Sequence, residues 1–175
     1  IMLHVTKSIT VNRPRQEVYE FWRDLEHLPT FMIHLEAVTS SGDRRSHWVA
    51  KAPGGPVEWD AEIIEDRLGE VIAWQSLEGS EVPNGGSVRF SDAPADRGTE
   101  VGVELRYDPP GGSAGATVAK LFGEEPQQQL RDDLRRFKQV METGEVVRSD
   151  GSLEGADQGA TKQRPAQASE GAVRS

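Results

Sequence analysis

The pattern between residues 34 and 108 constrains the fold of this chain more than any other feature. Apolar and polar side chains alternate there, most clearly where Val57, Trp59, Ala61 and Ile63 share one phase. Because alternate side chains of a strand point to opposite faces of a sheet, such a run predicts a half-buried antiparallel strand. Strands of this kind are predicted near 34–40, 44–52, 56–66, 70–78, 85–92 and 97–108.

Turn-forming residues separate these predicted strands, so the chain can pass from each strand to its neighbour through a hairpin. Glycine, proline, asparagine, aspartate and serine are typical of turns because they adopt the required backbone angles or bond to their own backbone. Such residues occur at 41–43, 53–56, 68–69, 83–86 and 96–98. The sequence therefore predicts a six-stranded antiparallel meander.

A further strand and two short helices are predicted before the meander. Apolar residues between Leu3 and Val11 indicate the strand, and Asn12 and Pro14 suit the next helix as its cap and first-turn residue. Asp24 then predicts a break before a second helical turn that ends near residues 31–32. Helical spacing supports the first helix through Val18, Phe21, Trp22 and Leu25.

A long C-terminal helix is predicted after the last strand, with Ser113 as a candidate N-terminal cap. Gly123 and Pro126 interrupt it and predict a kink or two helical pieces, because proline lacks a backbone donor. Its apolar stripe, which must be buried, consists of Val118, Leu121, Phe122, Leu130, Leu134, Phe137 and Met141. Its mixed charges predict a solvated surface made of Arg131, Asp132, Asp133, Arg135, Arg136 and Lys138.

We expect one folded domain at residues 1–142 and a disordered polar tail at 143–175. The tail has no aromatic residue and little apolar content, so it cannot offset the entropy lost on ordering. The net charge of −9 argues against nucleic acid or an anionic membrane surface as a partner, because both attract positive charge. The sequence contains no apolar run of about 18 residues, so we expect no stable membrane insertion. The first residues lack the apolar core of a signal peptide, which predicts a cytoplasmic protein.

This order of elements resembles the START-like (SRPBCC) superfamily. Its members, which include polyketide cyclases/dehydrases, coenzyme Q-binding START-type proteins and Bet v 1-like proteins, share the α+β helix-grip fold. In that fold a curved antiparallel sheet wraps around a long C-terminal helix, with two short helices after the first strand. The resemblance covers residues 3–142 and is strengthened by local strings at 9–14, 18–22, 28–32, 57–63, 72–76 and 98–101.

The resemblance implies an apolar ligand held between the sheet and the helix, and it carries over no catalytic residue. The leading hypothesis is therefore a binding domain for a lipid-, quinone- or polyketide-like molecule. A polyketide cyclase or aromatase is the main alternative, and an interaction or stress-related module with a collapsed pocket is the second. We expect no cofactor, and the oligomeric state stays open.

Strand alternation and the helix stripe select the residues that should line such a pocket. Small-molecule pockets are mostly apolar with a few placed polar groups, although buried aromatic residues are also ordinary core material. The candidate ligand-binding residues are Trp48, Trp59, Ala61, Trp74, Phe90, Tyr107, Leu121, Phe122 and Leu130.

Other residue types point to no specific chemistry. No pair among His4, His27, His34 and His47 has metal-ligand spacing, so we expect no metal site and a surface or rim position for each histidine. Asp60 and Glu62 resemble an acid–base pair, yet alternation places them on the solvated sheet face. The glycine-rich segment 111–115 lacks the residues of a phosphate-binding loop and predicts a hinge and cap.

Overall fold

The computed structural model of the chain describes residues 3–51, 55–80, 82–107 and 125–144. The strands are β1 (Leu3–Val11), β2 (Leu35–Ser40), β3 (Arg45–Ala50), β4 (Val57–Arg67), β5 (Val71–Ser76), β6 (Asn84–Asp92) and β7 (Thr99–Tyr107). The helices are α1 (Arg15–Arg23), α2 (Pro126–Thr143) and two 3₁₀ helices, Leu25–Thr30 and Pro94–Asp96. The predicted α+β class, the meander and the two short helices after the first strand are confirmed.

All seven strands form one curled antiparallel sheet in the order β1-β7-β6-β5-β4-β3-β2. The meander accounts for β2 to β7, and β1 closes the sheet by pairing with β7, from Leu3 opposite Tyr107 to Val11 opposite Thr99. Hydrophobic alternation identifies a strand but not a distant partner, so the sequence pattern does not predict this pairing. In β4 the register shifts between Ile63 and Glu65, and such a bulge bends the sheet locally.

The start of α1 differs from the sequence prediction. Pro14 occupies the N-cap position, and no side chain caps the helix. Asn12 instead donates its backbone N–H to the Glu142 carboxylate at 2.7 Å, which ties the end of β1 to the last turn of α2. The predicted break at Asp24 is confirmed, because its carboxylate accepts from the Glu26 N–H at the start of the first 3₁₀ helix.

Two glycines are required by close backbone approaches. At Gly98, with φ of +107°, a Cβ atom would lie 2.1 Å from the Val11 carbonyl oxygen. At Gly86, a Cβ atom would lie 2.8 Å from the Trp74 ring. The sequence prediction assigned residues 83–86 to a turn, whereas residues 84–86 begin β6, where the glycines make room for Trp74.

The long helix α2 begins at Pro126, which is compatible with proline because the first helical turn has no internal partner for its N–H. Its buried stripe is Leu130, Leu134, Phe137 and Met141, as predicted. Ser113, Gly123 and the helical segment predicted before Pro126 lie outside the described residues, as does the predicted tail from residue 145 onwards. Within the described ranges, no helix has both the length and the apolar character needed to cross a membrane.

An aromatic cluster joins α1, the first 3₁₀ helix, the sheet and α2. The ring of Phe137 lies 4.9 Å from Phe31 and 5.1 Å from Trp22, measured between ring centroids. Trp22 in turn lies 6.5 Å from Phe90 on β6. All four rings are buried, so this cluster is a solid part of the core that holds the helix against the sheet.

Candidate functional site

A small cavity lies over the concave face of the sheet, against β3 to β7. Its volume is about 30 Å³, which is room for one or two water molecules. Most of its lining is apolar, and only a few polar side chains reach it. Its described lining residues are Met32, His34, Leu35, Trp48, Trp59, Trp74, Asn84, Gly85, Leu105 and Tyr107.

Three stacked tryptophans form one wall of the cavity. Trp48 on β3 lies directly opposite Trp59 on β4, and their ring centroids are 5.8 Å apart with planes 25° from parallel. Trp48 also stacks on Trp74 of β5, at 6.1 Å and 27°. Consecutive strands of a meander place side chains of one phase side by side, so the three rings pack against one another, with Trp48 between Trp59 and Trp74.

The polar atoms of these rings are not equally satisfied. The Trp48 indole N–H donates to the Ser46 hydroxyl at 2.8 Å. The buried Trp59 Nε1 has no hydrogen-bond partner among the described residues. A buried N–H without a partner is costly, and most such groups in proteins bond to protein or water. The Trp59 N–H is therefore a donor without a described partner on a residue that lines the cavity, and the Trp22 N–H is a second such donor in the aromatic cluster.

A cluster of polar side chains, His34, Tyr107, Gln129, Asp133 and Arg136, borders the cavity, and we call it the polar cluster. His34 Nδ1 accepts from the Gln129 side-chain amide at 3.1 Å and lies 3.8 Å from Asp133 Oδ2. Arg136 donates to Asp133 Oδ1 at 2.6 Å. Of the five residues of the polar cluster, only His34 and Tyr107 belong to the described lining of the cavity. Asp133 and Arg136 lie outside that lining.

Arg136 and Asp133 also hold the backbone that leads into β2. The Arg136 Nε–H donates to the Phe31 carbonyl at 3.0 Å, and Asp133 accepts from the Ile33 N–H. Both charged side chains are buried, with 10% and 2% of their surface exposed. The Asp133–Arg136 ion pair therefore holds the backbone of Phe31 and Ile33 in place, and it also contributes the charged groups next to His34.

Burial shifts the protonation equilibria of this cluster away from their ordinary values. Desolvation raises the pKa of Asp133 to about 7, although the hydrogen bond from Arg136 opposes the change. Desolvation and the charges of Arg136 and Lys51 lower the pKa of His34 to about 4. Burial and the charge of Asp133 raise the pKa of Tyr107. At neutral pH, His34 is uncharged and Asp133 is close to half protonated.

These two shifts predict opposite effects of pH on stability. Between about pH 4 and 6.5, folding leaves Asp133 with a proton that the unfolded chain lacks, and removes from His34 a proton that the unfolded chain holds. The contributions of the two groups therefore nearly cancel in the native protein. Without His34, the remaining group is a carboxyl with a raised pKa, whose stabilising contribution is lost as pH rises. Without Asp133, the remaining group is a histidine with a lowered pKa, whose contribution is lost as pH falls.

We expect His34→Gln to lose stability relative to the native protein as pH rises from about 4 to 6.5, by up to about 1.4 kcal/mol per pH unit. Asp133→Asn should show the opposite slope over the same window. Urea unfolding at several pH values measures both slopes. Parallel pH profiles for both variants and the native protein would contradict the assigned shifts.

The predicted ligand-binding residues occupy three kinds of position. Trp48, Trp59, Trp74 and Tyr107 line the cavity. Ala61, Phe90 and Leu130 are buried but lie outside its described lining, and Phe90 belongs to the aromatic cluster around Trp22. Leu121 and Phe122 lie outside the described residues.

Two sequence interpretations need correction. His34 was expected on the surface or rim, yet its side chain is only 12% exposed. Asp133 and Arg136 were expected on a solvated helix surface, yet both are buried. A signal for Asp133 was available, because it lies three residues after Leu130 and four before Phe137, in phase with the apolar stripe.

The carboxylates of the outer sheet face lie where alternation predicts. Asp60 and Glu62 are solvated, and the Asp60 carboxylate lies 3.0 Å from His47 Nδ1. His47 Nε2 lies 2.7 Å from Glu58. These hydrogen bonds raise the pKa of His47, but the group is exposed on the face opposite the cavity.

Comparison with known proteins places this architecture among described relatives. A family model described as polyketide cyclase/dehydrase and lipid transport matches residues 11–135. An uncharacterized 17.2 kDa protein of Streptomyces lincolnensis is 31% identical over 144 residues, which are 81% of this chain and 91% of the relative. The crystal structure of a Deinococcus radiodurans protein has 42% identity and a TM-score of 0.68, covering 81% of this chain and 99% of that chain.

An aromatase/cyclase named Zhui, from a Streptomyces species, shares the fold at lower sequence identity. Its crystal structure is 20% identical with a TM-score of 0.53, and the alignment covers 82% of this chain and 90% of that chain.

Proposed function

The chain belongs to the polyketide cyclase/dehydrase and lipid transport family, and from that premise we propose that it binds a small hydrophobic molecule between its sheet and C-terminal helix. The ligand class we propose is an aromatic or quinone-like ring, among the lipid-, quinone- and polyketide-like molecules that the sequence suggested. An aromatic ring can pack edge-to-face or offset against these indoles, a gain that a flexible acyl chain does not make.

The observation that carries this proposal is the wall of Trp48, Trp59 and Trp74, with the buried Trp59 N–H unpartnered among the described residues. Aromatic rings add about 0.5–1.5 kcal/mol per stacked pair beyond their burial. An acceptor oxygen on the ligand could also satisfy the Trp59 donor.

The cavity volume sets a condition on binding. About 30 Å³ is smaller than the roughly 150 Å³ that admits benzene in an engineered apolar cavity. A ring must therefore displace lining side chains. Met32 lines the cavity, and methionine is unbranched and adapts readily to a new shape, so its movement is the least demanding way to make room.

Leu105 gives the sharpest test, because it lines the cavity and its size sets the free space. Leu105→Ala should bind a single-ring probe such as benzyl alcohol about 10-fold more tightly than the native protein, and Leu105→Phe should weaken binding by a similar factor. Tryptophan fluorescence and protection against thermal unfolding measure the affinity independently.

Leu134→Ala is the matched control, since Leu134 is also buried but lies outside the described lining. It should lose stability without gaining affinity for the probe. If benzyl alcohol gives neither signal with the native protein or with Leu105→Ala, the proposal fails, and an interaction module with a collapsed pocket becomes the better account.

The polar cluster supports a second candidate function, a cyclase-type enzyme. Its supporting observation is that His34 reaches the cavity while the buried Asp133 lies 3.8 Å behind it. Of the two, Asp133 has the pKa closer to neutral pH, so acid–base catalysis on a bound carbonyl compound would need its proton to pass through His34. A ligand recovered unchanged after incubation supports binding alone, whereas recovery of a dehydrated or cyclised product supports catalysis.

A further inference from the structure

We propose that Gly86 sets the size of the ligand cavity, because its bare backbone leaves room for two side chains of the cavity wall to lie against β6. This inference rests on the proposed binding function and names a residue that determines which rings the cavity admits. The contacts around Gly86 carry it.

Gly86 lies between two residues of the cavity wall. On β6 it is the register partner of Trp74 on β5 and of Leu105 on β7. Residues directly opposite each other in a sheet share a face, so these three positions form one row across the concave face. Trp74 and Leu105 belong to the described cavity lining, whereas Gly86 does not. Its two neighbours therefore separate Gly86 from the cavity.

The space that a side chain at position 86 would need is already filled by these neighbours. A Cβ atom there would lie 2.8 Å from Trp74 Cζ2 and 3.0 Å from Leu105 Cδ2. Carbon atoms in contact are normally about 3.5–4.0 Å apart, so an added methyl group requires both side chains to move. The Glu104 carbonyl oxygen, at 2.8 Å, would add an unfavourable contact with the backbone of β7.

The two side chains can move more easily than the backbone. β6 is hydrogen-bonded to β5 on one side and to β7 on the other, so a shift of its backbone would disrupt two ladders. Trp74 and Leu105 both border the cavity, whose volume is about 30 Å³. A side chain at position 86 would therefore displace them into this space and reduce it.

The adjacent Gly85 acts on different atoms, although it also belongs to the described lining. A Cβ atom there would lie 2.8 Å from the Trp74 carbonyl oxygen and 2.9 Å from Arg106 Nη2. The first is a backbone atom of β5, and the second is the end of a side chain outside the described lining. Gly86 is therefore the glycine whose substitution acts on the side chains of the cavity wall.

Gly86→Ala tests the inference, with Gly102→Ala as the matched control. Gly102 lies on β7, and a Cβ atom there would meet no atom within 4 Å beyond its chain neighbours. In calorimetric titrations, Gly86→Ala should bind benzyl alcohol at least about 10-fold more weakly than the native protein, and Gly102→Ala should stay within about twofold. Near-UV circular dichroism, which reports the packing of the indoles, should change in Gly86→Ala alone.

A shorter ring at position 74 should relieve the contact. Trp74→Phe removes Cζ2 together with the fused indole ring. In the Trp74→Phe background, Gly86→Ala should therefore weaken benzyl alcohol binding by less than about threefold. An equal loss of affinity in both backgrounds would show that Gly86 acts through the Glu104 carbonyl and general stability, and it would overturn the inference.

The outcomes separate this inference from the proposed function. If neither the native protein nor Leu105→Ala binds benzyl alcohol, the proposed function fails, and an unchanged near-UV spectrum of Gly86→Ala would independently overturn the inference. If Gly86→Ala binds as well as the native protein, binding stands and the inference is wrong.

A second background covers the case in which Gly86→Ala does not fold. Leu105→Ala removes one of the two side chains that a methyl group at position 86 would displace, so the double variant has more room. Its affinity for benzyl alcohol should be at least about 10-fold below that of Leu105→Ala alone. Equal affinities, or failure of the double variant to fold, would make Gly86 a requirement of folding rather than of cavity size and would overturn the inference.

Discussion

Replacing Phe137 by alanine should lower the free energy of unfolding by about 3–5 kcal/mol. The ring is fully buried, and it contacts Phe31, Trp22 and Phe21 at centroid distances of 4.9, 5.1 and 6.2 Å. These neighbours come from α1 and from the residue that follows the first 3₁₀ helix, so the void cannot collapse without moving elements that also contact the sheet. Urea unfolding measures the change through the transition midpoint and slope.

Arg135→Ala is the matched control for this prediction, because Arg135 lies on the same helix with 67% of its side chain exposed. It should change the free energy of unfolding by less than about 0.5 kcal/mol. A loss below about 1 kcal/mol for Phe137→Ala would mean that α2 contributes little to the core, against the packing described above.

Replacing Arg136 by methionine should destabilise the protein by about 3–5 kcal/mol at a pH of about 8. Methionine keeps the apolar stem but leaves the Asp133 carboxylate buried without its closest cation, and the Phe31 carbonyl loses a donor. Protonation of Asp133 removes the unpaired charge, so the loss should shrink as the pH falls below about 7.

The double variant Asp133→Asn with Arg136→Met controls for this effect. With neither charge present, it should regain part of the stability that Arg136→Met loses, since neutral replacement of both members of a buried pair is often well tolerated. Equal losses in the single and double variants, at every pH, would show that the destabilisation comes from packing rather than from the unpaired carboxylate.

Local pattern predicted most of the fold because each strand of the meander has one buried face. Residues Val57, Trp59, Ala61 and Ile63 are buried as their alternation requires, and every strand lies within two residues of its predicted bounds. The pairing of β1 with β7 joins segments about 90 residues apart, so no local pattern encodes it. The sequence places Gly86 both in a turn at 83–86 and in a strand from 85 onwards, because the use of a glycine to make room for a neighbouring ring depends on tertiary structure.

The polar part of the candidate site was harder to predict than its apolar part. Strand alternation correctly predicts that the tryptophans of the sheet line the cavity. The mixed charges of the helix predict a solvated position for Asp133 and Arg136, whereas both residues are buried. Aspartate and arginine residues on one helix can form either a solvated surface of alternating charges or a buried ion pair. The residue composition alone does not distinguish these two arrangements. The position of Asp133 within the apolar stripe distinguishes them, and His34 can be placed only once the segment before β2 lies against α2.

Anomalous diffraction from a bromine-labelled ring tests the central claim most directly. Crystals soaked or grown with 4-bromobenzamide should show a bromine peak within the cavity, against the rings of Trp48, Trp59 and Trp74, with Met32 displaced. A bromine peak only outside that cavity, or none at a concentration that saturates the fluorescence change, would contradict ligand binding between the sheet and the helix.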